Sequence, residues 1–330
     1  MNKIQEKCLS LLWGILKAAL AAGVIVWLLS RSGVSTADFA RLAPAWIVLA
    51  ALSLFVQNVM TAVRWRVLLR CVGVDLSFLQ ALSLTMQGIF FTLFIPAGAV
   101  SGDLVKAGLL AAKLDNSQRF NGIFSILADR ICGFAGLLFS VLLVMACYLP
   151  VIRRFSDGIR LIMLICALSA VAGLVFIFAL FYYRIFLKIS IFRKIYDWLD
   201  RLTKGFCSRV AAVIDLYQDR RGTLLFWGLV SGLLLFPLYA AAFACIAAAA
   251  VPGGAWSASL LGGLLGEVAG VIPVTPGGIG TRDAIVAAVY SASGCSPEDA
   301  VVITTVFTAV LIAVSSIGAI FMIAGRIRKR

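Results

Sequence analysis

The stretch that decides the fold runs from Gly266 to Asp283 and reads GEVAGVIPVTPGGIGTRD. Within eight residues Pro273, Pro276, Gly277, Gly278 and Gly280 interrupt an apolar run, and Arg282 and Asp283 follow at once. Proline removes a backbone donor and glycine lowers the cost of unusual dihedrals, so no regular helix continues through this segment. The pattern reads as helix, break, half-helix.

The surrounding composition says where such a break must sit. Of 330 residues, 62% are hydrophobic and 13% charged, and the mean hydropathy is +1.04. A spanning helix needs about 20 predominantly apolar residues. Runs of that kind occur at 11–30, 45–63, 121–149, 160–182, 223–250 and 299–325. The first follows Lys3 and Lys7 and has no clear cleavage site, so it reads as an uncleaved helix. At membrane depth, backbone groups freed by a break are tolerated only inside protein or along a wet cavity.

A second interruption lies at 78–113, where SLTMQGIFFTLF leads into IPAGAVSG, with Pro96, Gly98 and Gly102, and then into DLVKAGLLAAK. With both termini cytoplasmic, twenty Lys and Arg fall inside and five outside, in keeping with the positive-inside rule. The first hairpin then opens to the cytoplasm and the second, 256–293, to the outside. Paired, interrupted segments of opposed orientation point to a transporter built from inverted repeats. The fold class expected is therefore an all-α polytopic membrane protein. It has about six full spanning helices plus two broken re-entrant hairpins in opposed orientation, within one integral membrane domain, 1–330. The first half is 1–183, a connector occupies 184–221 and the second half is 222–330. The connector places Ile189, Phe192, Ile195, Leu199 and Leu202 at helical spacing, which suits an amphipathic helix at the cytoplasmic interface.

The basic excess, 29 Lys and Arg against 15 Asp and Glu, is read as orientation and not as nucleic-acid binding. Histidine is absent and the eight cysteines form no CxxC pair, which excludes the usual zinc constellations and Ser-His-Asp triads. No metal and no cofactor is implied.

Seven ionisable residues lie within or beside apolar runs: Asp103, Lys106, Asp129, Arg130, Glu267, Arg282 and Asp283. Each costs at least about 2.5 kcal/mol at the centre of a lipid-exposed helix, so partners or water are required. Four negatives against three positives leave minus one. Glu267 is the candidate for the odd charge, either protonated or balanced by a cation, with a pairing to Arg130 as the alternative. Asp103 and Lys106 share a helix face, whereas the neighbours Asp129 and Arg130, like Arg282 and Asp283, project differently and need partners from elsewhere. Thr281 suits an N-cap, with Asp283 in the first turn, and Arg282 adds a charge suited to phosphate.

Three segments, GIFFTLFIPAGAVSGDLVKAGLLA at 88–111, SILADRICGF at 125–134 and GEVAGVIPVTPGGIGTRDAI at 266–285, together resemble the lysylphosphatidylglycerol synthase transmembrane-region family of flippase-like proteins. That family commonly has Glu where this chain has Asp283 and Arg where it has Lys106, changes that keep the charge. The resemblance implies a domain that moves phospholipid or another amphipathic lipid between leaflets of the cytoplasmic membrane. In the best-known relatives an aminoacyl-transferase domain follows, so this chain is expected to be a translocase without its own synthase. Membrane lipids, and a separately encoded lipid-modifying enzyme, are the expected partners. Arg282, Lys106 and Arg130 would meet a headgroup phosphate, while Glu267, Asp103, Asp129 and Asp283 set the charge balance. The rival readings are a non-transporting partner of a lipid or glycolipid synthesis complex and a membrane-embedded headgroup transferase. The latter is disfavoured because the charges show no nucleophile-base spacing, and the chain is not read as an enzyme.

Overall fold

A computed structural model describes residues 42–94, 99–153, 155–203, 205–251, 255–271 and 278–327. The expected first helix at 11–30 and the break residues Pro96, Gly98, Pro273, Pro276 and Gly277 lie outside the described residues. Every regular element among the described residues is helical.

The chain runs through α1 (Pro44–Cys71), α2 (Phe78–Phe94), α3 (Ala99–Ala111), α4 (Asn116–Cys147) and α5 (Asp157–Phe181). The connector holds α6 (Ser190–Leu202) and α7 (Phe206–Leu216). The second half comprises α8 (Arg221–Val230), α9 (Phe236–Ala250), α10 (Trp256–Val271), α11 (Thr281–Ala292) and α12 (Pro297–Ile327). Among the described residues, five helical stretches are long and apolar enough to cross a membrane: Pro44–Cys71, Asn116–Cys147, Asp157–Phe181, Cys207–Ala250 and Pro297–Ile323. On α5, Leu161, Ile162, Leu164, Ile165, Leu168 and Phe176 are all more than half exposed. An apolar face that continuous needs lipid against it.

The limbs of each hairpin pack antiparallel and are too short to span. α2 and α3 have 17 and 13 residues, and α10 and α11 have 16 and 12. At 1.5 Å per residue even the longest reaches only about 25 Å, against about 30 Å of hydrocarbon. A Cβ on Gly102 would collide with the Gly88 carbonyl and Thr92 Oγ1, so the limbs of the first hairpin touch backbone to backbone. In the second, a Cβ on Gly266 would lie 2.6 Å from Val286 Cγ2, and Ser259 is hydrogen-bonded to the Tyr290 hydroxyl at 2.6 Å.

The two hairpins open at opposite ends of the bundle, because three traverses (α4, α5 and α8–α9) lie between them. At the connector end the Tyr217 hydroxyl donates to Leu68 O at 3.0 Å and Arg119 Nε to Ala111 O at 3.0 Å. At the far end Tyr148, Val251, Ala255 and Ser293 line one depression. Packing repeats between the halves. α1 packs on α2 as α9 packs on α10, and α3 packs on α4 as α11 packs on α12. Each hairpin is also gripped by a helix of the other half, α2 by α12 and α10 by α4.

Two features differ from the sequence expectation. The first span continues to Cys71 and carries Arg64 into the interior instead of ending at 63. Between α8 and α9 a π-helical turn, Ser231–Leu235, precedes Pro237. Proline supplies no N–H to the preceding turn, and a widened turn accommodates the loss. Gly136 and Gly232 meet beside this turn, where a Cβ on Gly136 would lie 2.8 Å from Gly228 O. On the connector, α6 leaves Ile189, Ile191, Phe192, Ile195, Trp198, Leu199 and Leu202 exposed.

Gly102→Ala is expected to destabilise the protein by about 1–3 kcal/mol through overpacking at the hairpin seam. Gly108, on the same helix, has open space around its would-be Cβ. Gly108→Ala should be neutral, or stabilising by up to about 1 kcal/mol from helix propensity. Thermal unfolding of the detergent-purified proteins compares the two.

Candidate functional site: charges between the opposed hairpins

The central helix of the site is α4, which packs against both α3 of the first hairpin and α10 of the second. Asp129 and Arg130 stand near its middle, 13 and 14 residues from its start at Asn116, or about 20 Å along the axis. Being adjacent, they face different neighbours. Asp129 accepts from Arg64 Nε at 2.7 Å, with both side chains only 6% exposed. Arg64 Nη1 also donates to Ser231 Oγ, in the π-helical turn, at 2.7 Å, and that hydroxyl donates to Trp227 O of α8 at 2.6 Å. Gly133 makes room for this guanidinium, since a Cβ there would lie 3.0 Å from Arg64 Nη2.

Arg130 grips Asp103 of α3 with a two-pronged contact, Nε to Oδ2 at 2.7 Å and Nη2 to Oδ1 at 2.9 Å. Such forked pairs fix geometry as well as charge. The Arg130 side chain stays 52% exposed although it stands at the middle of α4, facing α3 of the first hairpin. Lys106, one turn on from Asp103, is 5% exposed and sets Nζ 3.6 Å from the centroid of the Trp65 ring. Trp65 is held by its indole N–H on Ser125 Oγ at 3.1 Å. A desolvated cation over tryptophan gains about 2 kcal/mol. The nearest opposite charges to Lys106 are Asp129 and Asp103, which already hold Arg64 and Arg130.

In the second hairpin, Arg282 and Asp283 pair with each other, contrary to the expectation that each needs a partner from elsewhere. Arg282 Nε and Nη2 donate to Asp283 Oδ1 at 3.0 and 2.9 Å. At the start of a helix the long guanidinium can fold back on its neighbour. Arg282 Nη2 also donates to Thr308 Oγ1 of α12 at 2.5 Å, and its guanidinium lies 4.8 Å from the Phe307 ring centroid. Thr308 lies 3.1 Å from Asp283 Oδ2. The N-cap position is Gly280 (φ 90°) and not Thr281, which is the first helical residue and donates from its hydroxyl to Gly278 O at 3.1 Å. The Asp283 carboxylate accepts from the Gly280 N–H at 3.0 Å and so occupies this helix start itself. Gly278 (φ 72°) and Gly280 are left-handed, a conformation that favours glycine. Arg282 is 1% exposed, so in this conformation it ties the second hairpin to α12 and does not face open space.

Glu267, half-buried near the tip of α10, joins the two groups. It lies within electrostatic reach of Arg130 and Arg282 and beside the Tyr239 hydroxyl, which is buried and makes no hydrogen bond of normal geometry. The expected charge of minus one is corrected by Arg64. Among the described residues four basic ones (Arg64, Lys106, Arg130, Arg282) now stand against four acidic ones (Asp103, Asp129, Glu267, Asp283), a formally neutral set. Three ion pairs consume six charges, leaving Lys106 and Glu267 without an ion pair among the described residues. Sequence reasoning also missed Trp65, Ser231, Tyr239 and Thr308, which carry no charge to mark them. Of the expected break residues, Gly102, Gly278 and Gly280 lie at the seams and turn described above.

A bundle with a charged interior and opposed hairpins defines a polytopic α-helical membrane protein that conceals polar groups from lipid. The family described as Lysylphosphatidylglycerol synthase TM region matches residues 14–318, and the chain belongs to that family, which is linked to lipid biology. No match was found to a curated protein or to a solved structure.

Replacing Arg64 by Met leaves Asp129 buried without its partner and should cost about 3–5 kcal/mol, most of which the double change Arg64→Met, Asp129→Leu should restore. Denaturant or thermal unfolding reads both. Arg282→Lys keeps the charge but loses the fork, and should lower stability by about 1–3 kcal/mol in the same assay.

Proposed function

We propose that this protein moves a phospholipid, or a lipid of similar amphipathic character, between the leaflets of the cytoplasmic membrane, with both its termini on the cytoplasmic side. The observation that carries this reading is an accessible cation, Arg130, at the middle of α4 and near a half-buried carboxylate, Glu267, between hairpins that open to opposite ends. A headgroup phosphate approaching Arg130 meets a guanidinium already oriented by Asp103, with the Lys106 ammonium one helical turn away. Charge-assisted contacts of that kind replace part of the water a headgroup gives up at membrane depth. Arg282 and Asp283 support the site from behind by holding α11 to α12.

Shared packing between the halves favours alternating access by rocking one half against the other around this centre. We read the protein as a transporter and not as a headgroup transferase, and a separately encoded lipid-modifying enzyme would supply its substrate.

The test is movement of fluorescent phospholipids across liposomes containing the purified protein, compared with Arg130→Ala and Glu267→Gln forms of matching thermal stability. Faster movement in the parent is the expected result, reduced at least about tenfold in Arg130→Ala, which loses a charge-assisted contact worth up to about 3 kcal/mol, and reduced also in Glu267→Gln, which changes the charge balance of the site. Unchanged movement in both variants would remove the site from this reading. Parent protein that moves no lipid would favour a non-transporting partner of a lipid-synthesis complex.

A further inference from the structure

On the perimeter of the bundle, away from the charged interior, α4, α5 and α8 enclose an apolar groove of about 490 Å³. Each helix contributes a stretch of nine residues, 131–139, 174–182 and 221–229, or about 12 Å of axial length. The lip is turned outward, with Val175, Phe178, Leu225 and Leu229 each between 49% and 68% exposed. Gly228 lies along the groove, and a Cβ there would meet nothing within 4 Å. The volume falls in the range of about 300–1,000 Å³ usual for ligand sites.

At the connector end the groove changes character. Tyr182 and Arg221 form its wall there, with the guanidinium 4.8 Å from the centroid of the Tyr182 ring. Arg221 Nη2 donates to Gln218 Oε1, whereas Nε is buried and has no hydrogen-bond partner among the described residues. Among the described residues no carboxylate forms an ion pair with Arg221 either. A phosphate oxygen at the mouth of the groove would meet this charge by a charge-assisted contact on the outward donors of the guanidinium. A lipid-facing apolar slot that ends in an unpaired cation at the level where the chain leaves the membrane matches one phospholipid shape: acyl chain along the slot, anionic head at its mouth.

We infer that this groove holds one acyl chain of an anionic phospholipid whose phosphate is bound by Arg221. The site is separate from the Arg130 and Glu267 centre and does not depend on the transport reading. Arg221 supplies the choice of headgroup, and the open face beside Gly228 supplies the room for the chain.

The experiment counts lipid bound to delipidated full-length protein by native mass spectrometry after adding phosphatidylglycerol or phosphatidylcholine. The parent should retain one phosphatidylglycerol with about tenfold preference over phosphatidylcholine. Arg221→Gln should abolish that preference, and Arg221→Lys should restore part of it. Gly228→Leu, whose Cβ meets nothing within 4 Å and whose longer side chain extends into the slot, should weaken retention while Arg221 stays in place. Equal retention of the two lipids by the parent, or an undiminished preference in a folded Arg221→Gln protein, overturns the inference. Loss in Arg221→Gln with no effect of Gly228→Leu overturns the acyl-chain assignment.

Discussion

Charge neutralisation at membrane depth is the constraint on which the rest of this structure depends. A single uncompensated ion costs more than most individual packing contacts supply, so every helix that carries one is committed to particular neighbours. Arg64 commits α1 to α4, and through Ser231 commits both to the π-helical turn. Arg130 and Asp103 commit α4 to α3, while Arg282, Asp283 and Thr308 commit α11 to α12. Corresponding helices are thus fastened in the two halves, α3 to α4 and α11 to α12, by different chemistry. The first fastening is exposed and the second is sealed. On that difference rests the proposal that Arg130 binds and Arg282 supports.

Close backbone approach is what allows these pairs to form. Gly102 lets α3 lie against α2 closely enough to set Asp103 before Arg130, and Gly133 lets Arg64 reach Asp129. Gly318 does the same between α12 and the Met86 carbonyl of α2, where one half grips the hairpin of the other. In lipid, where helices gain little from hiding apolar surface from each other, small residues at contacts are the expected route to association.

Much of this was legible from residue types alone. Proline and glycine clusters disclose the hairpins because no regular helix can pass through them, and the apolar runs disclose spans because lipid thickness sets their length. Partners were harder to read. Arg64, Arg66 and Arg70 follow an apolar run and look like one positive flank, yet only Arg66 and Arg70 stay near the end of the helix, and Arg64 turns inward. The hint was indirect: four acidic residues against three basic ones, an imbalance that the sequence assigns to Glu267. Arg282 and Asp283 were misjudged because ideal helix geometry separates adjacent side chains, whereas a flexible guanidinium at a first turn is free to fold back. Ser231 and Thr308 were invisible, since a hydroxyl in an apolar helix usually bonds its own backbone and costs little.

The adjacency of opposite charges has a consequence for biogenesis. Asp129 with Arg130, Asp103 with Lys106, and Arg282 with Asp283 each lie within one turn of a single helix. Each of those segments therefore carries no net charge as it leaves the ribosome and passes sideways into the bilayer, before any tertiary partner exists. Arg282 and Asp283 keep each other afterwards, but Asp129 and Arg130 exchange their local company for Arg64 and Asp103. The same residues thus lower the charge of each inserting segment and later hold the helices together. Among the eight interior charges of the described residues, Arg64, seven residues from the end of α1, and Glu267, four from the tip of α10, have no opposite charge within one turn of their own helix.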